Sequence, residues 1–203
     1  MTAAQDLVAG TAIGVTLIEG FENLDLHAYL DEGGVPTIGY GNTAMLDGTK
    51  VKLGMVLKDE PTARALMMRA IGLIVPKLAA MVKVPLTPSQ IGALLSLQYN
   101  IGSGALNTST LLKYLNKSDL KNASAQFLVW NQDNGRVIAG LTNRRKKERA
   151  VFDGVVSATL PALAEVVTSA PIAAPVKKKP APKKVASATD DLNSAELAKH
   201  KKA

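Results

Sequence analysis

Apolar residues recur at Ile13, Leu17, Phe21 and Leu24, the spacing of one helical face, and predict a helix over roughly residues 4–23 with Glu22 near its C-terminal end. From Leu26 the pattern changes. The run LHAYLDEGGVPTIGYGNT holds two short extended stretches, residues 26–31 and 35–40, on either side of a tight Gly33-Gly34 turn, and so predicts a hairpin. Pro36 has no N–H to give to a ladder, which makes the second stretch an edge or irregular strand. After Lys50 the pattern is helical. Pro61 suits an early helical position, the apolar series Leu66, Ile71, Ile74 and Leu78 follows, and Pro85 breaks it. Thr87-Pro88-Ser89-Gln90 has the form of an N-cap followed by proline at the first helical position, opening a helix through Leu94, Leu95 and Leu97 that Gly102 and Gly104 end. Residues 109–116, 120–130 and 143–152 give three further helical stretches, separated by the turn clusters SD and QDNGR. The predicted class is α+β: a small helix-plus-hairpin lobe and a larger helical lobe with a cleft between them.

Composition sets a boundary on this picture. Past about Ala170 the chain becomes APIAAPVKKKPAPKKVASATDD, rich in Pro, Ala and Lys and without buried periodicity. The expected organisation is a folded domain over 1–170 and a disordered basic tail over 171–203. Residues 175–203 hold eight Lys against three acids, so most of the net charge of +7 lies in the tail. Residues 1–49 carry no Lys or Arg but seven acids: Asp6, Glu19, Glu22, Asp25, Asp31, Glu32 and Asp47. An acidic opening without interleaved aromatics argues against a nucleic-acid binder. The apolar run from Leu7 to Ile18 is shorter than the ~20 residues that span a bilayer and is diluted by Gly10, Thr11, Gly14 and Thr16. It reads as a core helix, and with no positive charge before Lys50 a secretory signal is not expected.

Glycosidic hydrolysis needs one carboxyl group to protonate the leaving oxygen and a second carboxylate to activate water or attack. A partly buried helix end suits the first role and a polar turn the second. Glu22 and Asp31 fit these descriptions. The run FENLDLHAYLDEGGVPTIGYGNT resembles the phage-type lysozyme signature, in which Glu, eight residues, Asp, five residues and Thr form the catalytic set. The resemblance implies that Glu22 is the general acid and that Asp31 and Thr37 hold the attacking water. A hairpin turning at Gly33-Gly34 supports this, because it sets Thr37 diagonally across from Asp31. Glu19 stands in an IEG tripeptide similar to the family's Glu-Gly pair, but lies twelve residues from Asp31 rather than nine, so the acid is assigned to Glu22. Asn42 stands where the family often has His.

The resemblance extends to about Gly154. LTPSQIGALLSLQYNIGSGALNTSTLLKYLN is similar to the family's central helix and cleft-facing turn, and WNQDNGRVIAGLTNRRKKERAVF to its C-terminal segment, with the paired arginines and the following Glu148 as hallmarks. By analogy Tyr99, Asn100, Ser109 and Asn143 line the saccharide cleft; a core position for Tyr99 and helix caps for Ser109 and Asn143 stand as alternatives. Trp130, flanked by Phe127 and Leu128, reads as core. The run Arg144-Arg145-Lys146-Lys147, followed by Glu148, reads as a solvated face with one or two structural ion pairs.

Other wall-degrading chemistries fit less well. A zinc amidase needs a ligand cluster that His27 and His200 alone do not supply, and a cysteine peptidase needs a thiol that the chain lacks. A lytic transglycosylase needs only the acid, whereas Asp31 and Thr37 at hydrolase spacing point to water as acceptor. The resemblance thus implies a lysozyme-like endolysin that cleaves between N-acetylmuramic acid and N-acetylglucosamine in bacterial peptidoglycan, by inversion. It is expected to need no cofactor or metal, to act as a monomer, and to stay in the host cytoplasm until released to the wall. The basic tail is expected to add affinity for anionic envelope polymers. A catalytically weak wall-binding or virion-associated protein of the same fold is the alternative.

Overall fold

The computed structural model describes residues 3–31, 33–133 and 135–155. The tail expected over 171–203, and the end of the domain expected to reach 170, lie outside the described residues. Helix α1 (Ala3–Phe21) leads into strands β1 (Asp25–Leu30) and β2 (Pro36–Gly39), then α2 (Glu60–Met81) and α3 (Pro88–Ile101). Short helices α4 (Ser103–Thr108), α5 (Thr110–Leu115) and α6 (Leu120–Ala125) follow, the last running into a 3-10 turn (Gln126–Val129). A small hairpin of β3 (Gln132–Asp133) and β4 (Arg136–Val137) precedes α7 (Ala139–Phe152).

Local chemistry explains most of these boundaries. Asp59 caps α2 by accepting the Thr62 N–H, with Pro61 at the start of the helix. Thr87 and Gln90 form a reciprocal capping box at α3, where Thr87 Oγ1 accepts the Gln90 N–H and Gln90 Oε1 accepts the Thr87 N–H. Gly102, at φ +87°, ends α3 in a conformation that disfavours any side chain. Gly104 does not help to end α3; it lies within α4. Two other boundaries depart from expectation. Helix α7 starts at Ala139, and the QDNGR turn is the centre of the β3–β4 hairpin, too short for a strand period to register.

Two apolar clusters form the interior. The larger joins Leu17 of α1 and Leu94, Leu95 and Leu97 of α3 to Leu106, Leu111, Leu115, Phe127, Val151 and Phe152, with Trp130 packed partly buried against it. The smaller joins Val15 and Ile18 to Ile38 and Tyr40 of the hairpin, Leu66, Met67 and Ile71 of α2, and Tyr99. Helices α1 and α3 contribute to both. Every residue of α3 from Gln90 to Asn100 is buried, so this helix is enclosed on all sides.

The glycines that dilute the α1 apolar run are what let α3 approach. A Cβ at Gly10 would stand 2.5 Å from Ile91 Cβ, one at Gly14 3.0 Å from Leu95 Cβ, and one at Gly92 2.3 Å from Ile13 Cγ2. The two helices therefore cross with backbones nearly touching. Among the described residues no helix is long and apolar enough to cross a membrane.

This crossing yields a stability test. Gly92→Ala overpacks the contact and is expected to cost about 1–3 kcal/mol. Gly72→Ala, in open space on α2, is expected to be neutral or stabilising by up to about 1 kcal/mol. Urea unfolding of both variants checks the contrast.

Candidate active site

The hairpin assembles one half of the site from local sequence. Its register pairs Tyr29 with Thr37 and Leu30 with Pro36, and the Asp31 N–H continues the ladder to the Val35 carbonyl at 3.0 Å. Alternate residues share a face, so Tyr29, Asp31, Val35 and Thr37 project together. The turn is closed by Asp31 itself: its carbonyl accepts the Gly34 N–H at 2.8 Å and its Oδ1 accepts the Val35 N–H at 2.8 Å. Gly34, at φ +74°, supplies the left-handed residue. Thr37 is buried to 3%, and its hydroxyl donates to the Val35 carbonyl at 3.0 Å.

Beyond β2 the chain folds back on itself. The Ile38 and Asn42 backbones exchange hydrogen bonds of 2.9 and 2.8 Å, with Gly39 and Gly41 at positive φ. The loop fixes Tyr40, whose hydroxyl donates to Glu60 Oε1 at 3.0 Å and whose carbonyl accepts the Tyr99 hydroxyl at 2.7 Å. Gly41 faces Glu22: a Cβ there would stand 3.5 Å from Glu22 Oε2. The Asn42 side chain is buried against the Tyr99 hydroxyl, and its Oδ1 has no hydrogen-bond partner.

Glu22 follows the last residue of α1, and its N–H still reaches the Ile18 carbonyl at 2.9 Å. Its side chain is 9% exposed, and Oε1 accepts from Arg144 Nη1 at 2.7 Å. Arg144 is 3% exposed and uses its other edges as well. Its Nε donates to Glu148 Oε1 at 3.1 Å, its Nη2 donates to the Ser96 carbonyl at 3.3 Å, and its plane lies 4.9 Å from the Phe21 ring centroid. Glu148 is fully buried and accepts from Ser96 Oγ at 2.7 Å and Arg145 Nη2 at 3.2 Å. Arg145 Nε stands 2.9 Å from Glu148 Oε2 as an ion-pair contact, and Arg145 Nη2 donates to Asn100 Oδ1 at 3.0 Å. Burial works against the charge on Arg144, but Glu22 and Glu148 outweigh it and raise its pKa. Burial lowers the Arg145 pKa to about 10, with Glu148 opposing and Arg144 adding to the fall, so both guanidinium groups are charged at neutral pH.

Tyr29 stands opposite Thr37 in the hairpin register. Burial, then the Glu22, Asp25 and Asp31 carboxylates, push its phenol above the usual range.

Asp31 and Thr37 thus belong to the β1–β2 hairpin, and Glu22 lies beside Gly41 on the loop that follows it. Glu19 points elsewhere, paired with Arg64 of α2 at 2.7 Å. Of the four residues expected to line a saccharide cleft, three are buried and engaged internally. Tyr99 bonds the Tyr40 carbonyl, Asn100 holds Arg145, and Ser109 caps α5 by accepting the Leu112 N–H at 3.0 Å while donating to the Leu106 carbonyl at 2.7 Å. Asn143 is exposed on α7. The basic run is the clearest correction. Arg144 and Arg145 are not on a solvated face, because α7 turns them toward α3, where Glu148 and the polar groups of Ser96 and Asn100 compensate their burial. Lys146 is exposed, and Lys147 lies 5.9 Å from the Phe21 ring. Sequence reasoning singles out the paired arginines and Glu148 as hallmarks of the C-terminal segment, but not their contact with Glu22 or the part of Ser96 in it. The signal available was a glutamate three and four residues after two adjacent arginines, a spacing that allows both to reach it on one helix.

Comparison with known proteins gives a consistent answer. The phage lysozyme family matches residues 19–148. The chain is 40% identical over 144 residues to the endolysin of Bacillus phage B103, covering 68% of this chain and 52% of that protein, so it spans about half that relative's length. It is 37% identical over 139 residues to the endolysin of Salmonella phage P22, covering 68% and 94%. Among solved structures, an endolysin from Escherichia coli O157:H7 phage FAHEc1 superimposes with a TM-score of 0.65 at 33% identity, covering 72% of this chain and 94% of the other.

The tyrosines give an alkaline test. Burial and the hydrogen bond to Glu60 raise Tyr40 to about 12, and burial raises Tyr29 and Tyr99. A folded-state pKa above the unfolded value of about 10 contributes stability that is complete below the unfolded pKa and disappears as pH rises through the folded one. Stability is therefore expected to fall between about pH 10 and 12, less steeply in Tyr40→Phe, as measured by denaturant midpoints across that range.

Proposed function

The chain belongs to the phage lysozyme family, and from that premise we propose that it is an endolysin that hydrolyses the β-1,4 bond between N-acetylmuramic acid and N-acetylglucosamine in peptidoglycan. Glu22 is the general acid, and Asp31 with Thr37 holds the attacking water. The observation that carries the reading is a buried helix-end carboxyl lying against the loop after β2, with Asp31 and Thr37 in the adjoining hairpin, at the spacing of the family signature.

The hydrogen bonds suggest how each part works. Arg144 occupies Glu22 Oε1, which leaves Oε2, on the Gly41 side, to carry and deliver the proton to the leaving oxygen. The Thr37 hydroxyl hydrogen is committed to the Val35 carbonyl, so its oxygen can only accept from a water. If Asp31 accepts that water's other hydrogen, the water's lone pair is left facing the sugar. A water activated on the face opposite the acid gives inversion at the anomeric carbon. Asn143 is the candidate for direct saccharide contact, while Tyr99, Asn100 and Ser109 support the walls of the cleft from within.

We further propose that the protein acts as a monomer, is made in the host cytoplasm, and meets the wall on release. The eight Lys and three acids of residues 175–203 add electrostatic affinity for anionic envelope polymers. A chain truncated after Ala170 is then expected to clear cells more slowly at low salt and equally at high salt; equal clearance at every ionic strength refutes the tail's role.

For the chemistry, Glu22→Gln is expected to lower turnover on purified sacculi by about 10²–10⁴-fold, with Glu19→Gln within a few-fold of wild type. Mass spectrometry of the released fragments should show reducing N-acetylmuramic ends. Anhydro ends, or loss of activity only in Glu19→Gln, would overturn the reading.

A further inference from the structure

We infer that Glu148, which does not face the hairpin residues, is a positioning residue for the acid and acts through Arg144. The inference rests on the assignment of Glu22 as the acid. A guanidinium is planar, so two fixed edges determine where the third points. The Arg144 Nε edge is held by Glu148 Oε1 at 3.1 Å and the Nη2 edge by the Ser96 carbonyl at 3.3 Å, which leaves Nη1 aimed at Glu22 Oε1 at 2.7 Å. Glu22 comes last in this chain of contacts, and the first brace is a carboxylate with no exposed surface.

Glu148 is itself over-determined. Ser96 Oγ donates to the same Oε1 at 2.7 Å, Arg145 Nη2 donates to it at 3.2 Å, and Arg145 Nε stands 2.9 Å from Oε2. Neither oxygen can swing without abandoning a buried charge. Arg145 is tied in turn to Asn100 of the enclosed helix α3. The geometry of the acid is thereby referred to a helix buried on every side rather than to the end of α1, where the helix gives way to the loop before β1.

Counter-charge and brace are separable roles. If Glu148 only neutralises Arg145, replacing both by leucine removes the need and leaves the site intact. If it braces Arg144, the same replacement frees the guanidinium and misaligns Glu22. Exchanging a buried ion pair for apolar residues of similar volume is often neutral for stability, so Arg145→Leu/Glu148→Leu is the variant to make.

With folding checked by circular dichroism, its kcat on sacculi is expected to fall about tenfold or more while KM stays within about twofold, because a small misplacement of a reacting group lowers turnover without weakening binding. Ser96→Ala, which keeps every charge and removes one brace of Glu148, is expected to lower kcat by a smaller factor, again at unchanged KM; it carries the test if the double variant does not fold. Wild-type kcat in the folded double variant, or in Ser96→Ala should the double variant not fold, overturns the inference. Glu22→Gln measured alongside separates the two possible failures. An active Glu22→Gln removes the acid assignment itself, whereas an inactive one beside a fully active double variant removes only the role of Glu148.

Discussion

Two arginines and two glutamates share one buried pocket in this protein, and the site depends on each guanidinium finding a glutamate partner there. Each ion costs several kcal/mol to remove from water, and an unbalanced one would not stay charged or would not stay buried. Glu22, Arg144, Glu148 and Arg145 come from the two ends of the folded chain, yet the fold closes them into one contiguous set braced by Ser96 and Asn100. Chain ends and centre are thus committed to one another. The end of α1 meets the guanidinium that α7 brings, and α7 in turn meets the polar groups that α3 offers in an otherwise apolar row.

Helix α3 makes that possible. It is buried on every side, but its polar residues are not scattered among the apolar ones without purpose. Ser96 and Asn100, four apart and so on one face, address α7; Tyr99 addresses the hairpin; Gln98 donates to the Ile74 carbonyl of α2 and to Ser103. One helix thereby relays position to α7, to α2 and to the loop after β2 through hydrogen bonds as well as through packing. Gly10, Gly14 and Gly92 bring α1 close enough for its last turn to lie beside the same relay. An apolar stretch that reads as weak because of its glycines is in fact built for close approach.

How much of this could be read from the chain depends on the range over which each feature is determined. The hairpin, its Gly33-Gly34 turn, the Thr87 cap and the spacing from Glu22 to Thr37 are set within a few residues, and the sequence shows them plainly. The pairing of Arg144 with Glu22 spans 122 positions and leaves no local trace. Charge patterning then favours the commoner solution, an exposed basic face, and misses a burial that only α3 justifies. The same reasoning explains Tyr99 and Ser109. Their side-chain types suit either a cleft wall or an interior contact, and the choice is made by partners far away or by the local cap. The β3–β4 hairpin escaped for a different reason: two residues per strand are too few to carry a period.

Glu19 and Glu22 show what the tertiary context adds to a motif. They lie one helical turn apart, and each is paired with an arginine at 2.7 Å. The Glu19–Arg64 pair is partly open to water, with side-chain exposures of 32% and 53%. Such a pair is screened and contributes about 0–1 kcal/mol. The Glu22–Arg144 pair, at 9% and 3%, is enclosed, and its guanidinium is fixed by two further contacts. Two glutamates three residues apart at the end of α1 and with the same kind of partner therefore differ in how they are held: only Glu22 is enclosed, with one oxygen occupied by a guanidinium that is itself fixed. Spacing from the hairpin singles out Glu22, and the buried network distinguishes it from Glu19, which a turn earlier is a surface tie between α1 and α2.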